Sequence, residues 1–138
     1  MTRRLATLAI AACGALSGCA SAPVPAADAS PAARIYAPQI THPHPDTAQV
    51  TVVRDSGVAG SACNDLLFVD GQKVAALSTS QKVTLYLSPG HHVLGTTASG
   101  ICAGGSASVE MTLRAGDMRD YRIGSHQSGD LFIQPSAF

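Results

Sequence analysis

The chain has 138 residues, and its nine basic residues are matched by nine acidic ones. That length fits one small domain with accessory segments, and an aromatic content of 4% without tryptophan predicts a modest aliphatic core. The balanced charge is not that of a basic nucleic-acid-binding face, so no nucleic-acid partner is expected.

The N-terminal residues carry the pattern of an export signal. Arg3 and Arg4 precede an uncharged, mostly apolar run from Leu5 to Leu16. This run is shorter than the roughly 20 residues needed to span a bilayer. It has the length of the apolar region of a signal peptide. Residues 1–18 are therefore predicted to be a signal peptide that is removed.

Four residues at the end of this run, Leu16, Ser17, Gly18 and Cys19, resemble a bacterial lipobox. The resemblance implies cleavage before Cys19 and lipid on its sulfur and on its new amino group. Several acyl chains, at ~0.8 kcal/mol per buried CH₂, anchor a protein firmly. The alternative is a plain secretory signal cut after Ala20 or Ala22. Because Ala20 rather than Asp follows Cys19, analogy favours the outer membrane, at its periplasmic face or the cell surface.

Residues 19–47 are predicted to be the lipidated cysteine and a Pro/Ala-rich tether. Residues 20–33 consist almost entirely of Ala, Pro and Ser and lack periodicity, which is typical of a disordered or polyproline spacer. Residues 34–36 offer an alternative, a first short strand. The three prolines between positions 38 and 45 exclude a regular central strand.

Residues 48–138 are predicted to form a β-sandwich domain. Short apolar runs alternate with turn signals at regular spacing, which indicates about seven or eight short antiparallel strands and an all-β fold. Val83, Leu85 and Leu87 are expected to share one face of their strand, and Tyr121 and Ile123 one face of theirs. In the run at 107–113, Val109, Met111 and Leu113 are expected to face inward. The predicted strands cover 49–54, 66–69, 73–77, 82–87, 91–97, 107–113, 119–123 and 131–134.

Cysteine usage fits export to an oxidising compartment. Cys13 leaves with the signal and Cys19 takes lipid, so Cys63 and Cys102 remain as one pair. A disulfide between them is the expected state outside the cytoplasm. The alternatives, a reactive thiol or a metal-binding pair, lack the close spacing that such sites use.

Three stretches of the domain resemble PEGA-type domains. Residues 69–74 (VDGQKV) resemble their first hairpin, residues 83–92 (VTLYLSPGHH) their strand with a Pro-Gly turn, and residues 113–123 their Ala-Gly turn followed by a Tyr-containing strand. The same order is similar to an uncharacterised bacterial lipoprotein family, domain of unknown function 2846. The resemblance covers roughly residues 66–135 and implies a small β-sandwich that binds surfaces or sugars.

The sequence offers few candidate residues for catalysis or metal binding. His42 and His44 are weak candidates for a metal site, while His91 and His92 point to opposite faces of a strand. No nucleophile, base and acid are brought together by spacing, so the protein is predicted not to be an enzyme and to need no cofactor.

The expected function is that of a membrane-anchored envelope lipoprotein. Its domain is predicted to be a non-enzymatic binding or scaffold module whose partner is an envelope protein or peptidoglycan. Two alternatives stand beside this one. The first is a periplasmic inhibitor of lysozyme type that acts through its loops, and the second is a weak metal-binding protein.

Overall fold

The computed structural model describes residues 21–58, 60–102 and 104–137, and within these ranges the protein is an all-β sandwich. The predicted fold class is thereby confirmed. The predicted signal peptide, the lipobox and Cys19 lie outside the described residues. The ten strands are β1 (Ser30–Pro31), β2 (Arg34–Ile35), β3 (Ala48–Arg54), β4 (Asp65–Val69), β5 (Gln72–Leu77), β6 (Gln81–Leu87), β7 (Gly90–Ala98), β8 (Ser106–Leu113), β9 (Met118–Ser125) and β10 (Leu131–Pro135).

The strands form two five-stranded sheets. Sheet 1 has the order β1-β6-β3-β9-β10, and sheet 2 has the order β2-β5-β4-β7-β8. The chain crosses between the sheets after β1, β2, β3, β5, β6 and β8. The eight strands from β3 onward agree with the predicted number and closely with the predicted positions.

Two strand pairs differ from the predicted antiparallel arrangement. β3 runs parallel to β9, and the short β1 runs parallel to β6. The parallel β3–β9 pair arises because β9 enters sheet 1 from sheet 2, at the same end of the sandwich as the start of β3. All other pairs between these strands are antiparallel.

Aliphatic side chains fill the space between the sheets. Val83, Leu85 and Leu87 share a buried face, as do Tyr121 and Ile123, as predicted. In the row predicted to face inward on β8, Met111 and Leu113 are buried and Val109 is half-buried. Tyr121 is the sole buried aromatic residue in the described ranges, and burial raises the pKa of its hydroxyl. The largest fully buried side chains are those of Val50, Val52, Leu67, Val74, Leu77, Leu85, Leu94 and Ile123.

The described part of the predicted tether, residues 21–47, packs against the domain, so the prediction of a spacer is wrong there. The Ala32 N–H donates to the carbonyl oxygen of Lys82 at 2.8 Å, and the Tyr36 N–H donates to that of Val74 at 2.8 Å. Ala29 and Ala37 are buried. Small alanines lie close against the strands, and proline is tolerated at a sheet edge. The segment thus covers edges that would otherwise present unpaired backbone groups.

The strand connections lie at two opposite ends of the sandwich. The end formed by residues 55–64, 78–80, 99–105 and 126–130 is called the disulfide end here. The opposite end contains the turns at 70–71, 88–89 and 114–117. In the first of these turns Asp70 and Gly71 both have positive φ, which is the geometry expected of an Asp-Gly hairpin.

Candidate functional site

Two charged side chains occupy inward positions at the disulfide end. Arg54 continues the inner row of Val50 and Val52 on β3, and Asp65 begins the inner row that Leu67 continues on β4. The Arg54 Nε atom lies 2.8 Å from Oδ2 of Asp65, and the two side chains are only 6% and 4% exposed. The pair therefore connects sheet 1 to sheet 2 across the interior.

Arg54 also organises the neighbouring loop. Its Nη1 donates to the carbonyl oxygens of Cys63 at 2.6 Å and Leu77 at 2.8 Å, and its Nη2 donates to that of Gly60 at 2.9 Å. The guanidinium group carries five donors in a fixed fork, so one side chain satisfies carbonyls from separate segments. The arrangement holds residues 60–63 against the ends of β3 and β5.

Burial governs the protonation of this pair. Burial raises the pKa of Asp65 to about 6, although the charge of Arg54 acts in the opposite direction. Burial also lowers the pKa of the Arg54 guanidinium. Both shifts have the same origin, because removal from water penalises the charged form of either group.

A second ion pair lies on the outer side of sheet 1 at the same end. The Nε of Arg122 donates to Oδ1 of Asp55 at 3.1 Å, and its Nη2 pairs with Oδ2 of the same carboxylate. Ser21 completes the group, since its hydroxyl donates to Asp55 Oδ2 at 3.1 Å and accepts the Ser125 N–H at 2.9 Å. Asp55 is 2% exposed, so two residues, Arg122 and Ser21, make three contacts with a buried carboxylate.

Gly124 is required by the close packing of this group. A Cβ atom built at Gly124 overlaps the Asp55 carboxylate and the Phe132 ring, and lies 2.6 Å from the Ser21 hydroxyl. The Phe132 ring in turn lies 5.0 Å from the Arg122 guanidinium, within the range of a cation–π contact. A side chain at position 124 cannot coexist with this arrangement.

The cysteine pair joins two loops of the disulfide end. Cys63 and Cys102 are bonded, and their Cα atoms lie 6.2 Å apart, within the normal range for a disulfide. The predicted pairing is confirmed. The bond ties the segment before β4 to the segment after β7.

A cavity of about 80 Å³ lies between these groups, with Ser21, Arg54, Asp55, Asp65 and Ser125 in its wall. One water needs roughly 10–15 Å³ of such space, so the cavity accommodates a few waters. Its two carboxylates are both paired with arginines. The cavity has a polar wall, and the hydrogen bonds of its wall residues hold the surrounding loops in place.

The histidines lie elsewhere. His42 and His44 are exposed, and the His44 ring contacts the Gln39 carbonyl oxygen at 3.3 Å. Across residues 21–58, 60–102 and 104–137, no three His, Cys, Asp or Glu side chains come together as metal ligands. The structure thus brings no third ligand to the predicted His42–His44 site.

His92 stabilises the opposite end of the sandwich. Its Nδ1 donates to Asp70 Oδ2 at 2.7 Å, and its Nε2 lies 2.8 Å from the Ser88 carbonyl oxygen. Burial lowers the pKa of His92, but the bonds to Asp70 and Ser88 outweigh it, and the pKa lies above its ordinary value. The other Asp70 oxygen accepts the Val93 N–H at 2.8 Å, so two turns are linked.

The outer face of sheet 2 carries a shallow groove. Phe68, Val93, Gly95 and Thr97 line it together with residues 106–108 of β8. Gly95 and the small side chains of β8 leave the space above the sheet open. This groove is the larger of the two concave regions described here, although it holds no charged side chain.

Sequence reasoning missed both ion pairs. The signal for Arg54 and Asp65 was present, because alternation places a basic and an acidic residue at inward positions of two consecutive strands. Arg122 pairs with Asp55 over a sequence separation of 67, so no local pattern indicated this contact. Ser21 carried no signal, since it belonged to the predicted spacer.

No helix in the described part of the chain is long and apolar enough to cross a bilayer. Compared with known proteins, the chain matches no family model and no curated sequence. The likeness to PEGA-type domains therefore rests on the residues quoted above and stays a prediction.

Proposed function

We propose that the protein is a lipid-anchored lipoprotein of the bacterial envelope, attached through Cys19 at the periplasmic face of the outer membrane. The observation that carries this proposal is the Cys63–Cys102 bond. It accounts for both cysteines that follow position 19, and such bonds persist in oxidising compartments. Cys19 is then the one remaining cysteine after the predicted signal peptide, and it stands at the lipobox position.

The domain is proposed to act as a non-enzymatic binding or scaffold module. Its buried charges support this role, because Arg54, Asp65, Asp55 and Arg122 are all engaged in contacts that hold strands and loops together. A rigid platform with exposed sheet faces and loops suits recognition of an envelope protein or of peptidoglycan. No cofactor is invoked.

Acyl labelling in cells tests the anchor. The wild-type precursor is expected to incorporate an alkyne analogue of palmitate and to fractionate with the outer membrane. Cys19→Ser is expected to lose both properties. Cys13→Ser is the matched control, because Cys13 lies in the signal peptide and its loss leaves labelling intact. Labelling of Cys19→Ser at the wild-type level would refute the lipidation of Cys19.

Binding is tested separately by sedimentation with purified peptidoglycan sacculi and by crosslinking in intact cells. Sedimentation of the folded domain, abolished by an excess of soluble peptidoglycan fragments, supports peptidoglycan as the partner. A specific protein crosslink in cells supports a scaffold role. If the domain neither sediments with sacculi nor forms a specific protein crosslink in cells, the binding-module proposal is contradicted. The proposed anchor is not affected by that outcome.

A further inference from the structure

Ser21 and Ala22, which follow Cys19 closely in the sequence, are fixed to the disulfide end of the domain. Ser21 bonds to Asp55 and Ser125, and Ala22 forms a two-way backbone bridge with Ser56, at 2.8 and 3.0 Å. One residue separates Cys19 from Ser21 in the sequence, and a chain spans at most ~3.6 Å per residue. A lipid on Cys19 would therefore hold this end of the sandwich next to the bilayer.

Two strongly exposed apolar side chains lie in loops of the same end. Val58 is 83% exposed and Ile101 is 101% exposed. Val58 lies two residues after Ser56, which pairs with Ala22, and Ile101 adjoins Cys102, which is bonded to Cys63. Ser21, Gly57 and Cys102 share the wall of one cavity, which places both apolar residues around the anchor.

Charge is distributed unevenly between the two ends. In the four connections of the disulfide end, the acidic residues are Asp55, which is buried and paired, and Asp130, and there is no lysine or arginine. The opposite end carries Asp70, Arg114 and Asp117 in its turns. Transfer of a charge into the membrane interface is costly, whereas apolar side chains gain from it. The disulfide end is thus the end suited to contact with lipid.

We propose that the disulfide end rests directly on the phospholipid surface, with Val58 and Ile101 inserted between the headgroups. This inference rests on the proposed lipidation of Cys19 and adds an orientation to it. The anchor holds the domain flush with the membrane, and the outer face of sheet 2 and the charged end stay accessible to the periplasm. The disulfide keeps the two inserted loops at a fixed separation.

Single tryptophans test the orientation, because the natural chain contains none. The probes are Ile101→Trp and Val58→Trp, and the control is Met118→Trp, since Met118 is 73% exposed at the opposite end. Each mature lipoprotein is purified in detergent, checked by intact mass, and reconstituted into phosphatidylethanolamine–phosphatidylglycerol vesicles with or without brominated acyl chains. The probes at 58 and 101 are expected to show a blue shift and to lose roughly half their emission to bromine, as for side chains ~5–10 Å deep. The probe at 118 is expected to show neither effect.

The possible failures are distinguishable. A mass without acyl chains overturns the proposed anchor and this inference with it. A correct lipidated mass with equal quenching at 101 and 118 overturns the orientation alone. A blue shift at 101 without quenching by brominated lipid assigns the loops to a protein contact, such as a second copy of the chain, and likewise overturns the membrane contact.

Discussion

At the scale of single residues, the domain places its two buried ion pairs at the end where its loops are longest. Arg54 and Asp65 occupy core positions, and Asp55 and Arg122 lie on the other side of the same sheet. The mutual attraction within such a pair offsets part of the hydration free energy that both groups lose on burial. Removal of one partner is therefore more harmful than removal of both.

Loss of Arg54 alone is expected to be severe. Arg54→Met leaves the Asp65 carboxylate buried and unpaired and also deprives three carbonyl groups of their donors, at a cost of about 3–5 kcal/mol in the free energy of unfolding. The double variant Arg54→Met/Asp65→Leu is expected to recover part of this loss. Urea unfolding of both variants measures the difference. A double variant that is less stable than the single one contradicts the interpretation.

The raised pKa of Asp65 predicts a pH dependence of stability. Its pKa is about 6 in the folded protein against an ordinary 3.8, so the folded state binds the proton more tightly. The contribution to stability therefore grows as the pH falls from about 7 to about 4 and is lost as the pH rises through 6. Thermal unfolding midpoints between pH 5 and 7 measure this slope.

Two substitutions test whether Asp65 causes this pH dependence of the unfolding midpoint. Asp65→Asn is expected to flatten it. Asp117→Asn is the control, because hydrogen bonds from the Arg114 backbone and from Arg119 lower the pKa of Asp117, so it titrates below this window. An unchanged slope in Asp65→Asn would show that another group, with His92 the first candidate, carries the dependence.

Gly124 is predicted to be intolerant of any side chain. Gly124→Ala places a methyl group against the Asp55 carboxylate and the Phe132 ring, and such overpacking costs typically 1–3 kcal/mol. Gly95→Ala is the matched control in a strand, since its Cβ finds neighbours only at 3.8 Å. Chemical denaturation of the two variants is expected to show a clear loss for the first and a small change for the second.

At the scale of elements, the segment 21–47 adds one edge strand to each sheet. β1 extends the β6 edge of sheet 1, and β2 extends the β5 edge of sheet 2. A segment rich in alanine and proline thus covers the edges that β6 and β5 would otherwise expose. Composition alone does not reveal this role, because the contacts are made by backbone groups whose partners lie about 40 to 50 residues further along the chain.

Hydrogen exchange distinguishes a docked segment from a spacer. The amides of Ala32 and Tyr36 donate to carbonyl oxygens of β6 and β5, so they are expected to exchange far more slowly than in an unfolded peptide. Exchange of both amides at the unfolded rate would show that the segment does not stay on the sheets in solution. The measurement uses the folded, oxidised protein at neutral pH.

The strands themselves were largely predictable. Period-two alternation located β3 through β10, and the Asp70-Gly71 signal correctly predicted its turn. The pairing of β3 with β9 was not predictable, since alternation identifies the inward face of a strand but not its neighbour. The candidate site was missed for the same reason, because it arises where four separate connections meet.

At the scale of the whole molecule, the Cys63–Cys102 bond is expected to supply a large share of the stability. It closes a loop over a sequence separation of 39, which the chain-entropy treatment values at ~4 kcal/mol. The double variant Cys63→Ser/Cys102→Ser is expected to unfold at a markedly lower guanidinium concentration than the oxidised protein. Reductant is expected to shift the wild type to the same midpoint and to leave the variant unchanged. A wild type indifferent to reduction contradicts this role.

The parallel pairing of β3 with β9 joins two segments that lie far apart in the sequence. β3 lies at the centre of sheet 1, yet Val52 finds its partner at Tyr121, near the other end of the chain. For such non-local pairing, the entropic cost of loop closure precedes the favourable contacts. Pairing of this kind therefore makes folding slow. When the chain is synthesised or exported from its N-terminus, β3 can pair with β6 but lacks its second neighbour, β9, until nearly the whole chain is available. A truncation before Met118 therefore removes β9 and β10 and leaves the central strand β3 as an exposed edge.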